Sequence, residues 1–285
     1  MSADSGPAVT EERREIELIM HDLTPRVLKV VRVENLSRTM RRVVVGGAAL
    51  QGFPYVTMAP DDHVKLFFPD ATTGRIAMPE IGPDGMRIPA QGPRPEARDY
   101  TVRAFDRESL ELTMDFVLHS HGIAGTWASK ATPGDEVGVL GPRGSHVYPT
   151  GYDWYLLVAD ETALPALCRW IEELPSDTRV VAFAEVADEH SELIASGRDG
   201  VELTYLHRHS AEPGTTTLLA DAVRACEFPD GEMFAWVAGE AGSIKPIRSY
   251  LTRELGLARG RAKVDGYWRL GKADHDHHEV IEEDD

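Results

Sequence analysis

Arg98, Tyr100 and Thr101 in "RDYTVRAF" bring a cation, an aromatic ring and a hydroxyl together in close succession. Side chains alternate along a strand, so Arg98 and Tyr100 share one face and Thr101 takes the other. Such a set could serve a flavin, with guanidinium to phosphate, phenol ring against the isoalloxazine and hydroxyl to a ring nitrogen. An ordinary strand with an exposed arginine has the same sequence. One strand later, Gly122, Gly125, Thr126 and Trp127 in "HGIAGTWASK" stand where a glycine-bearing turn enters a short helix. The N–H groups of such a helix start form a pyrophosphate cradle; a glycine-rich loop capped by Thr126 fits the residues equally well. His119 and His121 supply two alternate ligands and no third is evident, so hydrogen bonding by His119 is favoured and no metal site is expected.

A third stretch, "WYLLVADETALPAL", runs from a buried strand into a helix without glycine and places Asp160 and Glu161 at the turn. Those carboxylates supply the anion that a helix N-terminus attracts, with Thr162 able to cap the first N–H groups. A pyrophosphate laid there would meet acids, so any nicotinamide nucleotide is expected to bind loosely. Cys168 and Cys226 lack metal spacing, and Cys168 shares a helical face with Leu164, Leu167 and Ile171, as a buried thiol would.

The elements that must position these groups fall into two sets. Residues 1–24 are a polar N-terminal extension with a short helix expected in "EERREIELIM". From Pro25, six short β-rich stretches follow: "RVLKVVRVENL", "MRRVVVGG", "HVKLFFP", "RDYTVRAFD", "LELTMDFVLH" and "DEVGVLG". They predict a six-stranded antiparallel barrel over residues 25–150, because closure removes exposed edges. Over residues 151–271, continuous apolar runs such as "YLLVA", "RVVAFAEV" and "EMFAWVAG" alternate with helical segments, among them "EHSELIAS". That alternation predicts a doubly covered parallel sheet in an α/β domain. Residues 272–285 are an acidic tail whose His275, His277 and His278 are expected to be solvated.

The net charge of −17 argues against nucleic acid or an anionic membrane as partner. No apolar run reaches membrane-span length and no signal-peptide pattern opens the chain, so a cytoplasmic protein is expected.

The Arg98-x-Tyr100-Thr101 motif resembles the flavin motif of the ferredoxin–NADP reductase superfamily. "DDHVKLFFP", "HGIAGTWA", "PGDEVGVLGPRGS", "ADETALPA", "WVAGEA" and "GYWRLG" narrow the resemblance to siderophore-interacting proteins. It implies a flavin-binding barrel followed by a nucleotide-binding-like domain, and FAD-dependent reduction of ferric siderophores to release iron(II). By resemblance, Arg98, Tyr100, Thr101 and His119 contact the FAD, with Gly125, Thr126 and Trp127 at its pyrophosphate. Lys65, Arg143 and Arg269 lie in family-like motifs and are implied to hold an anionic ferric siderophore, whereas Lys245 and Arg248 read as a solvated helix face. Glu240, Tyr267 and Trp268 are candidates for lining the flavin cleft. Arg208 is a candidate for the 2′-phosphate of NADPH, with NADPH or NADH as a transient hydride donor and ferredoxin as the other electron source. The alternatives are a general NAD(P)H-dependent flavin reductase or diaphorase, and a siderophore-binding protein that does not reduce its ligand.

Overall fold

The computed structural model describes residues 14–82, 85–88, 95–119, 122–193 and 198–272. His121 and the tail histidines lie outside them. The first half contains β1 (Glu17–Met20), β2 (Pro25–Asn35), β3 (Met40–Gly46), β4 (His63–Phe67), β5 (Glu80–Gly82) and β6 (Gly85–Arg87). It continues with β7 (Ala97–Thr101), β8 (Ala104–Asp106), β9 (Glu111–Val117), α1 (Ile123–Lys130), β10 (Glu136–Leu140) and β11 (Gly144–Val147).

Seven of these strands form one antiparallel sheet in the order β7-β4-β10-β2-β3-β9-β8. The sequence expectation counted six because "RDYTVRAFD" reads as one strand. In the fold this stretch changes partner in its middle, with β7 pairing with β4 and β8 with β9. At the switch, Val102 N–H donates to the Asp62 carbonyl at 2.7 Å and Arg103 N–H to the Thr113 carbonyl at 3.0 Å. The two ends of the sheet are therefore joined by the chain itself. Inward side chains alternate as the pattern requires, with Leu112, Met114 and Phe116 meeting Val43, Val64 and Val137 in one core.

The helix expected in "EERREIELIM" is not formed over its second half. Glu17–Met20 is strand β1, paired antiparallel with β11 from Glu17↔Val147 to Met20↔Gly144. Alternation explains it: within β1, Ile19 packs against a core while Leu18 and Met20 take the exposed face.

The second half comprises β12 (Trp154–Ala159), α2 (Leu164–Glu173), β13 (Arg179–Val186), β14 (Val201–His207), α3 (Leu218–Ala225), β15 (Met233–Glu240), α4 (Ala241–Ser249) and β16 (Ala262–Trp268). Its five strands are parallel in the order β14-β13-β12-β15-β16. Every residue of β12 and β15 is buried, as their unbroken apolar runs imply. "EHSELIAS", read as a helix, holds a single 3-10 turn at Glu189–Ser191 before residues that are not described.

The halves share a core in which Met40, Met58 and Tyr148 join Tyr155, Trp170 and Phe234. The rings of Tyr148 and Trp170 lie 4.7 Å apart. Polar contacts from α2 add to this. Fully buried Arg169 donates to the Val102 and Val56 carbonyls at 2.9 and 3.0 Å and to Glu173 at 2.6 Å. Arg103 grips both oxygens of Glu172. These bonds anchor α2 beside the point where β7 ends, so the flavin-like motif is held at a fixed distance from the second sheet.

Candidate active site

A cavity of about 420 Å³ opens where the two halves meet. Its first wall comes from the chain around β4 and β7, with Asp61, Asp62 and His63 next to Asp99 and Thr101. The pairing His63↔Thr101 brings these two segments together. The second wall is Arg143, Gly144 and His146, with Leu18 and Met20 of β1 forming an apolar lip. The third is Lys263, Asp265 and Tyr267, which share one face of β16 because side chains alternate.

Within the flavin-like motif, alternation places Asp99 and Thr101 toward the cavity and turns Tyr100 away from it. The Tyr100 ring lies 4.2 Å from that of Phe116, and burial raises its phenol pKa. Arg98 donates to the Ala97 carbonyl at 2.7 Å. Helix α1 starts at Gly122, whose φ of 84° is easily adopted only by glycine, and neither a side-chain cap nor an acid occupies its first turn. Helix geometry leaves the N–H groups of Gly122, Ile123, Ala124 and Gly125 without intrahelical acceptors. A Cβ on Gly125 would stand 2.9 Å from the His119 carbonyl and 3.1 Å from its ring, so His119 forms the floor beneath this turn. Thr126 Oγ1 donates to the Gly122 carbonyl, and Trp127 packs on Phe68 and Phe116 at 5.4 and 5.8 Å. Both side chains thus hold the helix in place just after its first turn. A helix start with no N-cap side-chain bond, and with Gly125 seated closely over His119, fits a flavin nucleotide. So does the Tyr267 hydroxyl, which is buried against the cavity beside Thr101 with no hydrogen bond of good geometry among the described residues.

The three expected cations separate. Arg143 lines the cavity. Lys65 does not, but it holds Asp99 of the cavity wall at 2.9 and 3.0 Å. Arg269 stands outside, exposed and bridged through its backbone to Lys272. Lys263 takes a place on the wall instead, 3.1 Å from Asp265.

Of the three cleft candidates, only Tyr267 reaches the cavity. Trp268 Nε1 donates to Asp160 at 2.7 Å. Glu240 caps α4 by accepting from Ser243 N–H at 2.6 Å and also accepts from Leu270 N–H. Asp160 gathers four donors: Thr162 N–H and hydroxyl, Glu240 N–H and Trp268. Gly239, with φ of 156°, leaves room for it. Glu161 accepts from Thr39 of the first half at 2.9 Å and from Arg208 at 2.5 Å. Arg208, expected at a nucleotide 2′-phosphate, is therefore held in an ion pair that is almost wholly buried. The acidic turn ties sheet to sheet, and its charge is answered from within.

Sequence reasoning missed the acids of the cavity. Burial pushes the Asp62 carboxyl up to about 8, with Asp61 adding to the rise and a hydrogen bond from Ser145 opposing it. Asp61 accepts a short hydrogen bond from Tyr148. Burial also raises Asp265, against the pull of Lys263. Two signals were available: paired acids immediately before a buried strand in "PDDHVKLFF", and the period-two spacing of Lys263, Asp265 and Tyr267.

Residues 29–146 match the family model of the siderophore-interacting FAD-binding domain, and residues 152–271 match that of the siderophore-interacting protein. The chain is 36% identical over 254 residues to the NADPH-dependent ferric-chelate reductase of Escherichia coli, covering 88% of this chain and 95% of the relative. It is 34% identical to the ferric vibriobactin reductase ViuB of Vibrio cholerae, covering 90% and 93% of the two chains. Among solved structures, a siderophore utilization protein from T. fusca superposes with a TM-score of 0.87 at 48% identity, over 93% of this chain and 100% of that one. With both halves matched in order and near-complete coverage of its relatives, the chain belongs to the siderophore-interacting protein family.

Proposed function

We propose that this protein is an FAD-dependent oxidoreductase that reduces ferric siderophores and releases iron(II). The observation that carries this reading is the cavity itself, which joins Thr101 of the flavin-like motif to cations from both halves, Arg143 and Lys263. Bound FAD would supply the redox chemistry, as hydride acceptor from NADPH or NADH and one-electron donor to a ferric centre. The first half acts as a closed flavin-binding barrel, residues 25–150, and residues 151–271 serve as the nucleotide-binding-like domain. Arg98 and the N–H groups of Gly122–Gly125 hold the cofactor's phosphates, His119 supports that turn, and Tyr100 and Thr101 position the ring system. Arg143 and Lys263 draw an anionic ferric chelate into the cavity, against a net charge of −17. Leu18 and Met20 give the chelate an apolar contact. Iron(II) is held far less tightly than iron(III) by hard oxygen donors, so the electron loosens the metal. The proposed setting is the cytoplasm, with ferredoxin as the alternative donor.

One anaerobic experiment tests this. The FAD-loaded protein is bleached in turn with NADPH, NADH and reduced ferredoxin, then mixed with ferric siderophores and an iron(II) chelator. Flavin reoxidation with stoichiometric iron(II) is the expected result. Preference for quinones or free flavin indicates a general flavin reductase. Tight siderophore binding without reoxidation indicates a binding protein.

A further inference from the structure

On the ferric-siderophore function proposed above, we infer that Asp62, Ser145 and His21 form a proton path that delivers protons to siderophore oxygens as the iron is released.

The chemistry creates a need for such a path. A catecholate or hydroxamate oxygen that binds iron(III) is anionic. When iron(III) takes one electron from the reduced flavin, which the proposed donor recharges, and an iron–oxygen bond breaks, the bond pair stays on the oxygen. That oxygen recaptures the metal unless it is protonated. In the proposed step, the oxygen gains a proton from Asp62, whose carboxylate is reprotonated through Ser145 from His21 and bulk water. One electron enters the iron, one metal–oxygen bond is lost, one O–H bond forms, and the proton is replaced from solvent.

The geometry supplies the path. Asp62 lines the cavity and is only 5% exposed. Ser145 Oγ, fully buried, donates to Asp62 Oδ2 at 2.6 Å. His21 Nε2 lies 2.8 Å from the same Oγ. His21 is half-buried in the connection between β1 and β2, and its backbone N–H donates to the Arg143 carbonyl at 2.9 Å. A hydroxyl can accept on one side and donate on the other, so the three groups form an unbroken line from the surface to the cavity.

Electrostatics suit each end. Burial keeps Asp62 protonated up to about 8, so at neutral pH it is a loaded acid. Burial lowers the His21 pKa, which makes it quick to release a proton inward. The charges nearest Asp62 are Asp61, which holds the Tyr148 hydroxyl, and Arg169, whose charge is answered by Glu173 on α2. On Asp62's own wall stand His63 and Asp99, the latter held by Lys65, and across the cavity lie Arg143, His146 and the Lys263–Asp265 pair.

The test uses FAD-loaded protein in anaerobic stopped flow, with a ferric tris-catecholate and a ferric tris-hydroxamate as probes. Ferricyanide, whose one-electron reduction consumes no proton, is the control acceptor for wild type. Wild type is expected to release iron(II) more slowly as pH rises through about 8, and more slowly in D2O, with neither effect on ferricyanide. Asp62→Asn should slow release by about 10²-fold and abolish that pH dependence. Ser145→Ala keeps Asp62 titratable but cuts its resupply and removes the bond that lowers its pKa, so release should slow and its pH profile move upward; it carries the test if Asp62→Asn does not fold. Independently of turnover, a protonated-carboxyl infrared band should titrate near 8 in wild type and vanish in Asp62→Asn. Wild-type rates and pH profile in both variants overturn the proposal, as does the absence of that band from wild type. If wild type reduces ferricyanide but no ferric siderophore, the functional reading itself falls, and the relay with it.

Discussion

Gly125 leaves no room for a side chain, because a Cβ there meets the His119 backbone as well as its ring. Gly125→Ala should therefore shift the cradle at an overpacking cost of about 1–3 kcal/mol, weakening FAD retention by about 10-fold; equilibrium dialysis of the flavin reads it. Asp62 makes a second residue-level prediction. Its folded pKa of about 8 lies above the ordinary 3.8, so between those values the native state binds more protons than the unfolded chain. Its stabilising contribution is complete below 3.8 and is lost as pH rises through about 8. Asp62→Asn cannot titrate, so its melting temperature should gain on wild type across that window when both are scanned by calorimetry. Tyr100, Thr101 and Gly125 could be nominated from sequence because their types suit a flavin in any strand-and-turn setting. Asp62 could not, since an aspartate in sequence carries no sign of how far it will be desolvated.

The β12–α2 turn shows what an element does to the meaning of its residues. Asp160 and Glu161 suggest a site that repels phosphate, but in the fold Asp160 collects four donors and Glu161 pairs with Arg208. Breaking this buried pair from one side is costly: Arg208→Ala leaves Glu161 uncompensated and should lose about 3–5 kcal/mol in urea denaturation. A contact to the 2′-phosphate would instead change the ratio of KM values for NADPH and NADH, which should stay as in wild type. Strand β1 teaches a similar lesson. Its charged surroundings suggested a helix, yet pairing with β11 turns Leu18 and Met20 into a lip of the cavity.

At the scale of the molecule, the two halves behave as one body because Arg169 and the shared aromatic core cross the seam. Thermal unfolding followed by tryptophan fluorescence and by flavin release should give coincident single transitions. Arg169→Ala removes three hydrogen bonds and the cation that answers Glu173, leaving that carboxylate only its bonds from Met58 N–H and Tyr55 OH, and should lower stability by about 3–5 kcal/mol while separating the two transitions. By itself the sequence determined the order of a β-rich half and an α/β half, the flavin-like motif and the glycine turn. Each of these is a local matter of periodicity, side-chain type and backbone freedom. Only the tertiary structure decided which cations and acids meet. Arg143 and Lys263 converge on one cavity, Arg269 does not, and Asp62 comes to rest behind Ser145 and His21. Those outcomes depend on register, on which strands pair across long separations, and on water withdrawn from particular carboxyls. None of these is carried by a short run of residues.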